Sequence, residues 1–179
     1  MKKLFIAAFA LVALASAPQA HAQTKMVGGA EMYPTKDIID NAVNSKDHTT
    51  LVAAVKAAGL VETLKGKGPF TVFAPTNEAF SALPQGTVDN LLMPSNKPLL
   101  TSILTYHVVA GKMSAKDLWA KAKSAKPTLK TVNGGWLTVK IEGDKLYLVD
   151  AKGGKSWVTI ADVNQSNGVI HVVNAVLMP

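Results

Sequence analysis

Two apolar segments constrain this chain more than anything else in it. One is Phe70-Thr71-Val72-Phe73-Ala74-Pro75-Thr76-Asn77-Glu78-Ala79-Phe80, near the middle; the other is Asn167-Gly168-Val169-Ile170-His171-Val172-Val173-Asn174-Ala175-Val176-Leu177-Met178-Pro179. Burying a large apolar side chain is worth about 1.5–3 kcal/mol, so Phe70, Phe73 and Phe80 belong in a core. Phe70 to Phe73 alternates as a strand does, and Pro75 ends the run. Thr76 or Asn77 can then cap a helix carrying Ala79, Phe80 and Leu83, with Glu78 in the first turn where the macrodipole favours an acid. Asn167-Gly168 offers a turn, and Ile170, Val172 and Val176 suggest a strand laid over the core.

The stretch before the first block reads as helix. Ile38, Ile39 and Val43 mark one short helix. Leu51, Val52 and Val55 mark a second, capped by Asp47 or Thr49 and stopped by Gly59, and Leu60, Val61 and Leu64 a third, ended by Gly66. After the block, Thr87 can cap a turn carrying Val88, Leu91 and Leu92. Pro98 suits a first helical turn, and Leu99, Leu100, Ile103 and Leu104 give an apolar face leading into Tyr106. The pattern changes after Gly111. Ser114 and Asp117 can cap one amphipathic helix with Leu118 and Trp119, and Pro127 closes it. Strands then run over Leu129–Val132, Trp136–Ile141, Leu146–Val149, Trp157–Val163 and Val169–Val173, with turns at Asn133-Gly134-Gly135 and Glu142-Gly143-Asp144. Helices first and hairpins afterwards make the chain α+β.

The first 22 residues read as an export signal: Lys2 and Lys3, an apolar run from Leu4 to Ala15, and the small-x-small site Ala20-His21-Ala22. Cleavage after Ala22 implies a secreted or periplasmic protein beginning at Gln23. Residues 23–35 read as a leader that touches the domain only at Met32 and Tyr33, and residues 36–179 as one domain without repeats or linkers. No later segment has the length of a transmembrane span. There is no cysteine, so neither a disulfide nor a lipid-bearing thiol is available. Removing Lys2 and Lys3 takes the formal charge from +7 to +5. Every positive side chain is a scattered Lys. Nucleic-acid recognition favours the bidentate fork of Arg, so a nucleic-acid partner is not expected, whereas a mild attraction to anionic surfaces is compatible.

The two apolar blocks, with Leu104-Thr105-Tyr106-His107-Val108-Val109-Ala110-Gly111 between them, resemble in order and spacing the signature segments of the fasciclin (FAS1) domain family. The resemblance runs from about Tyr33 to Pro179. It implies a bacterial secreted single-domain member with an antiparallel β-wedge of two sheets and several α-helices along one side. It makes Phe70, Phe73, Thr76, Asn77, Phe80, Gly168, His171 and Asn174 structural signature positions. Family members often carry Asp where this chain has Asn174, so a carboxylate role there would be missing while a hydrogen-bonding role could survive. The resemblance further implies a binding surface at Leu104, Tyr106, His107, Val108 and Val109. Strand alternation would send Tyr106 and Val108 to one face and His107 and Val109 to the other.

Bond chemistry finds little support. There is no Gly-x-Ser-x-Gly elbow and no phosphate loop, and Asp144 and Asp150 fall in turns where Asp is common. His48, His107 and His171 lack metal-ligand spacing; His107 and His171 could meet on adjoining strands, but no third ligand suggests itself. No catalytic residue, metal or other cofactor is expected. The resulting expectation is a non-enzymatic binding module for cell adhesion, extracellular matrix or biofilm association, or host-surface contact. Its partner would be an extracellular protein or a cell-surface or matrix polymer, met as a monomer or weak oligomer. The alternative is a periplasmic protein binding a small ligand or a polysaccharide, for which Trp136 and Trp157 would be the platforms.

Overall fold

A computed structural model describes residues 23–179; the expected export signal over residues 1–22 lies outside them. The chain opens with a hairpin of β1 (Lys25–Val27) and β2 (Ala30–Met32). Three helices follow: α1 (Ile38–Ala42), α2 (Thr49–Ala58) and α3 (Val61–Lys65). Strand β3 (Phe70–Pro75) leads to α4 (Asn77–Ser81), α5 (Thr87–Leu92) and α6 (Lys97–Tyr106). After β4 (Val108–Ala110) and α7 (Ala115–Ala122) come β5 (Thr128–Lys130), β6 (Trp136–Glu142), β7 (Lys145–Val149), β8 (Lys155–Gln165) and β9 (Gly168–Val173).

The architecture is the expected α+β wedge, with sheet order β4-β3-β9-β8-β7-β6-β5. The sheet bends until its outer strands meet. Val109 bridges Thr131, and Val132 N–H donates to Val108 C=O at 2.8 Å. Neighbouring strands run antiparallel except at the centre, where β3 and β9 run parallel from Phe70 opposite Gly168 to Pro75 opposite Val173. The two signature segments are therefore hydrogen-bonded neighbours. Both strands are buried on both faces, which explains runs too apolar for a half-exposed strand. Val72, Ala74, Ile170 and Val172 pack on the helical side with Leu51, Val55, Leu100 and Leu104. Phe73 and Val173 face the opposite way, into a second core with Leu118, Leu137, Val139, Leu148 and Leu177.

Several local expectations change. The supposed leader is the β1–β2 hairpin, and it delivers Val27 and Met32 to the helical core at 4% and 3% exposure. Helix α2 starts after a short 3-10 turn at Lys46–His48 and receives no side-chain cap from its own N-cap residue, so neither Asp47 nor Thr49 is that cap. Thr87 is the first residue of α5 and not its cap, which is Gly86. Ser114 and Asp117 form the expected reciprocal capping box of α7. The helix before Tyr106 runs through that residue, so Tyr106 and His107 are not strand residues.

Parallel pairing demands close backbone approach at Gly168, where an added Cβ would sit 2.0 Å from Phe70 C=O. Only glycine fits without moving the central pair. Gly168→Ala is expected to lower the unfolding free energy by more than about 2 kcal/mol, measured by urea denaturation, because the obstacle is backbone in the middle of the sheet.

Candidate functional site

Tyr106 closes α6 with no exposed surface. Its hydroxyl donates to Trp136 C=O at 2.7 Å and accepts from Ala151 N–H at 3.0 Å. Gly135 lies flat on the ring, where a Cβ would meet Cε2 at 2.7 Å. The β5–β6 turn is thus laid over Tyr106. Asn133 ties it to α6: its Nδ2 donates to Ser102 Oγ at 3.0 Å and its N–H to Thr105 C=O at 3.3 Å. These bonds satisfy groups near a helix C-terminus that would otherwise lack partners.

His107 is the second fastening. Nε2 accepts from Leu177 N–H at 2.9 Å, so the proton sits on Nδ1, which donates to Ile103 C=O at 2.8 Å. The His107 carbonyl accepts from Phe73 N–H at 2.9 Å. One residue therefore joins α6, β3 and the closing segment. Asp150 holds the far side of that segment. Its Oδ1 accepts from Lys152 and Gly154 N–H at 3.0 and 2.7 Å, and its Oδ2 from Met178 N–H at 3.0 Å.

The surface expected at Leu104, Tyr106, His107, Val108 and Val109 is corrected by this geometry. All five are buried, none more than 6% exposed. Helical geometry through Tyr106 replaces strand alternation, and both signature rings point inward. What reaches solvent is the turn they hold: Val132 and Trp136, at 46% and 55% exposure, flank Asn133-Gly134-Gly135.

The remaining signature residues are also fastenings. Thr76 caps α4 through its Oγ1, which accepts from Ala79 N–H at 3.3 Å. Asn77 reaches across to α2. Its Oδ1 accepts from Thr50 N–H at 3.0 Å and its Nδ2 donates to Lys46 C=O at 2.8 Å, supplying the cap that α2 does not provide for itself. Phe80 packs in the helical core. His171 stacks on Phe73 with ring centroids 5.8 Å apart; its Nε2 donates to Met113 C=O at 2.8 Å and its Nδ1 accepts from Asp162 N–H at 3.3 Å. Asn174 Oδ1 accepts from Trp157 N–H at 2.9 Å, a bond that an amide oxygen makes as well as a carboxylate.

Both ring nitrogens of His107 and His171 are thus engaged by backbone, and the two rings do not converge on a shared ligand. Among the described residues no group of three His, Asp or Glu is placed to hold a metal ion, and no helix is long and apolar enough to cross a membrane. A cavity of about 60 Å³ lies in the helical core beside Leu51, Val55, Val72 and Ile170. It is far below the roughly 300–1,000 Å³ of sites for drug-sized ligands. A second depression is an open groove at the β6–β7 turn, lined by Glu142, Asp144, Lys145, Trp157, Thr159 and Asn174. Sequence reading placed the turn at Asn133-Gly134-Gly135 but missed its fastening to Tyr106 and α6, the reach of Asn77 and the Asp150–Met178 bond. Asp150 did carry a signal, the turn-forming run Asp150 to Gly154, but its long-range partner had none.

Burial holds all three described histidines neutral, pushing His107 down to about 4 and His48 and His171 below the usual histidine range. Unfolded histidines titrate near ~6.5, so below that pH the unfolded chain binds more protons than the folded one. Stability should therefore be complete above about pH 6.5 and fall as the pH drops toward 4, by roughly 3 kcal/mol from His107 alone. Urea titrations at stepped pH check this, with the loss from His107 absent in His107→Gln. Tyr106→Phe leaves Trp136 C=O and Ala151 N–H without their partner and is expected to cost about 2 kcal/mol in the same assay.

The fasciclin domain family model matches residues 46–179. Protein sll1483 of Synechocystis is 50% identical over 142 residues, covering 79% of this chain and 73% of that protein. The cell surface glycolipoprotein MPB83 of Mycobacterium bovis is 36% identical over 143 residues, covering 77% of this chain and 58% of its own length. Among solved structures, the FAS1 domain pair of the insect cell adhesion molecule Fasciclin I superposes with a TM-score of 0.73 at 20% identity. That match covers 80% of this chain and 51% of the insect chain.

Proposed function

From the premise that this chain belongs to the fasciclin domain family, we propose that it is an exported, non-enzymatic binding module acting in cell adhesion, matrix or biofilm association, or host-surface contact. The observation that carries the reading is the fastened turn. Tyr106 and Asn133 commit part-buried hydrogen bonds to a loop whose Val132 and Trp136 are exposed. A rigid loop with an exposed aromatic is a low-entropy contact surface, since little side-chain or backbone freedom is left to lose on binding. The signature Tyr106 and His107 act in this reading from beneath, positioning the contact residues.

Two relatives support the setting. One is described as a cell surface glycolipoprotein, and the structural match comes from a cell adhesion molecule. The partner is an extracellular protein or a cell-surface or matrix polymer, bound by surface complementarity. The alternative of a small-ligand or polysaccharide-binding periplasmic protein draws its support from the groove beside Trp157, where Lys145, Thr159 and Asn174 converge with an aromatic ring.

The test is retention of cells and matrix material on surfaces coated with the chain from Gln23 onward. Trp136→Ala is expected to reduce retention about tenfold while the melting temperature stays within a few degrees, because the side chain is exposed. Unchanged retention would remove the turn from the contact surface, and no retention by the unsubstituted chain would overturn the binding-module reading.

A further inference from the structure

The strand registers assemble a second feature, on the outer face of the β5–β8 meander. Lys140 pairs with Tyr147, and Tyr147 with Trp157, so the three form one row across β6, β7 and β8. Thr138, Val149 and Lys155 form the next row, and Lys130 pairs with Trp136 at the far end. Because side chains alternate along a strand, these residues share the face opposite Leu137, Val139, Leu146 and Leu148, which fill the core.

The rows interleave aromatics with cations. Trp157 packs on Tyr147 with ring centroids 4.6 Å apart, and Lys155 Nζ lies 5.2 Å from the centroid of the same tyrosine. Lys130, Lys140, Lys145 and Lys155 are exposed on this face. Their acidic counterpart there is Glu142, 3.8 Å from Lys155, with Asp144 in the adjoining turn. The four ammonium groups therefore exceed the carboxylates. Trp136 and Trp157 stand two strands and four residues apart, roughly 16 Å by strand spacing and rise, which is room for several sugar rings.

We propose that this face binds an acidic polysaccharide. Indole faces take the apolar C–H side of sugar rings, Thr138 offers a hydroxyl for hydrogen bonds, and the lysines meet repeated carboxylates as point charges. Single-stranded nucleic acid is the competing polyanion. It is held by a series of exposed rings on which successive bases stack, with Arg contributing, whereas of the rings on this face Trp136 alone is largely exposed, Tyr147 is covered by its neighbours and the chain has no Arg. The proposal rests on the reading of the chain as a binding module and gives that reading a ligand class, on a surface that shares Trp136 with the β5–β6 turn and extends from it across β6, β7 and β8.

The experiment measures binding of the chain from Gln23 onward to alginate, to neutral dextran and to a dT oligonucleotide, by affinity electrophoresis and tryptophan emission at low and raised salt. Alginate is expected to bind with strong salt dependence, dextran much more weakly, and the oligonucleotide less than alginate. Lys130→Gln with Lys140→Gln should weaken alginate at least tenfold. Lys56→Gln with Lys67→Gln, exposed on the helical side, should leave it unchanged. Equal loss in both pairs would reduce the effect to net charge and overturn the proposal. Tighter binding of the oligonucleotide would assign the face to nucleic acid, and equal binding of dextran would remove the charge readout. Retention of cells and matrix that survives Lys130→Gln with Lys140→Gln, alongside no alginate binding by the unsubstituted chain, would sink this proposal and leave the binding-module reading standing.

Discussion

The parallel pairing of β3 with β9 is the constraint on which the rest depends. It joins residues about a hundred positions apart and places six consecutive pairs in the centre of the sheet, buried on both sides. Loop closure over that distance must be met before the contacts stabilise anything, so the pairing cannot be a local event. Once made, it separates two cores. Val72 and Ile170 face the helices, and Phe73 and Val173 face the meander. The other strands of the seven-stranded sheet are added outward from this pair until β4 and β5 meet, while β1 and β2 pair only with each other.

The fastenings around that pair share a logic. His107, His171, Asn77 and Asp150 each bond backbone groups from segments distant in sequence, and three of the four are buried or nearly so. A buried polar side chain that satisfies backbone at two places specifies one arrangement, because leaving either partner unmade costs about 1–3 kcal/mol. Residues of this kind, three of them in the signature segments, record how the domain is locked. The residues proposed to touch another molecule are a different set. Val132 and Trp136 on the turn, and Lys130, Lys140 and Lys155 on the meander face, are held in place by that lock and carry none of its hydrogen bonds themselves through their side chains, apart from the weak Lys155–Glu142 pair.

This division explains what could be seen in the residues alone. The α+β order, the strand at Phe70, the capping box at Ser114 and Asp117 and the closing strand from Val169 to Val173, which the fold extends by Gly168, all follow from patterns a few residues long. Local patterns could not show that α6 continues through Tyr106, since Tyr106 and Val108 fit strand alternation as well as a helix end. Nor could they show that the segment after Gln23 forms a hairpin whose Val27 and Met32 complete the helical core.

The sequence by itself determined most of the elements after Ile38, their order and the family, because hydrophobic period, turn residues and caps act over one or two turns of chain. Tertiary structure alone decided which face of each element is inside, that the two apolar blocks are parallel neighbours, and that Tyr106 and His107 lie beneath the surface and not on it. Those outcomes depend on hydrogen bonds and packing between residues tens of positions apart, as between His107 and Leu177 or Lys140, Tyr147 and Trp157. Side-chain chemistry sets what each residue can do, and the fold decides whether it does so in water or in the core.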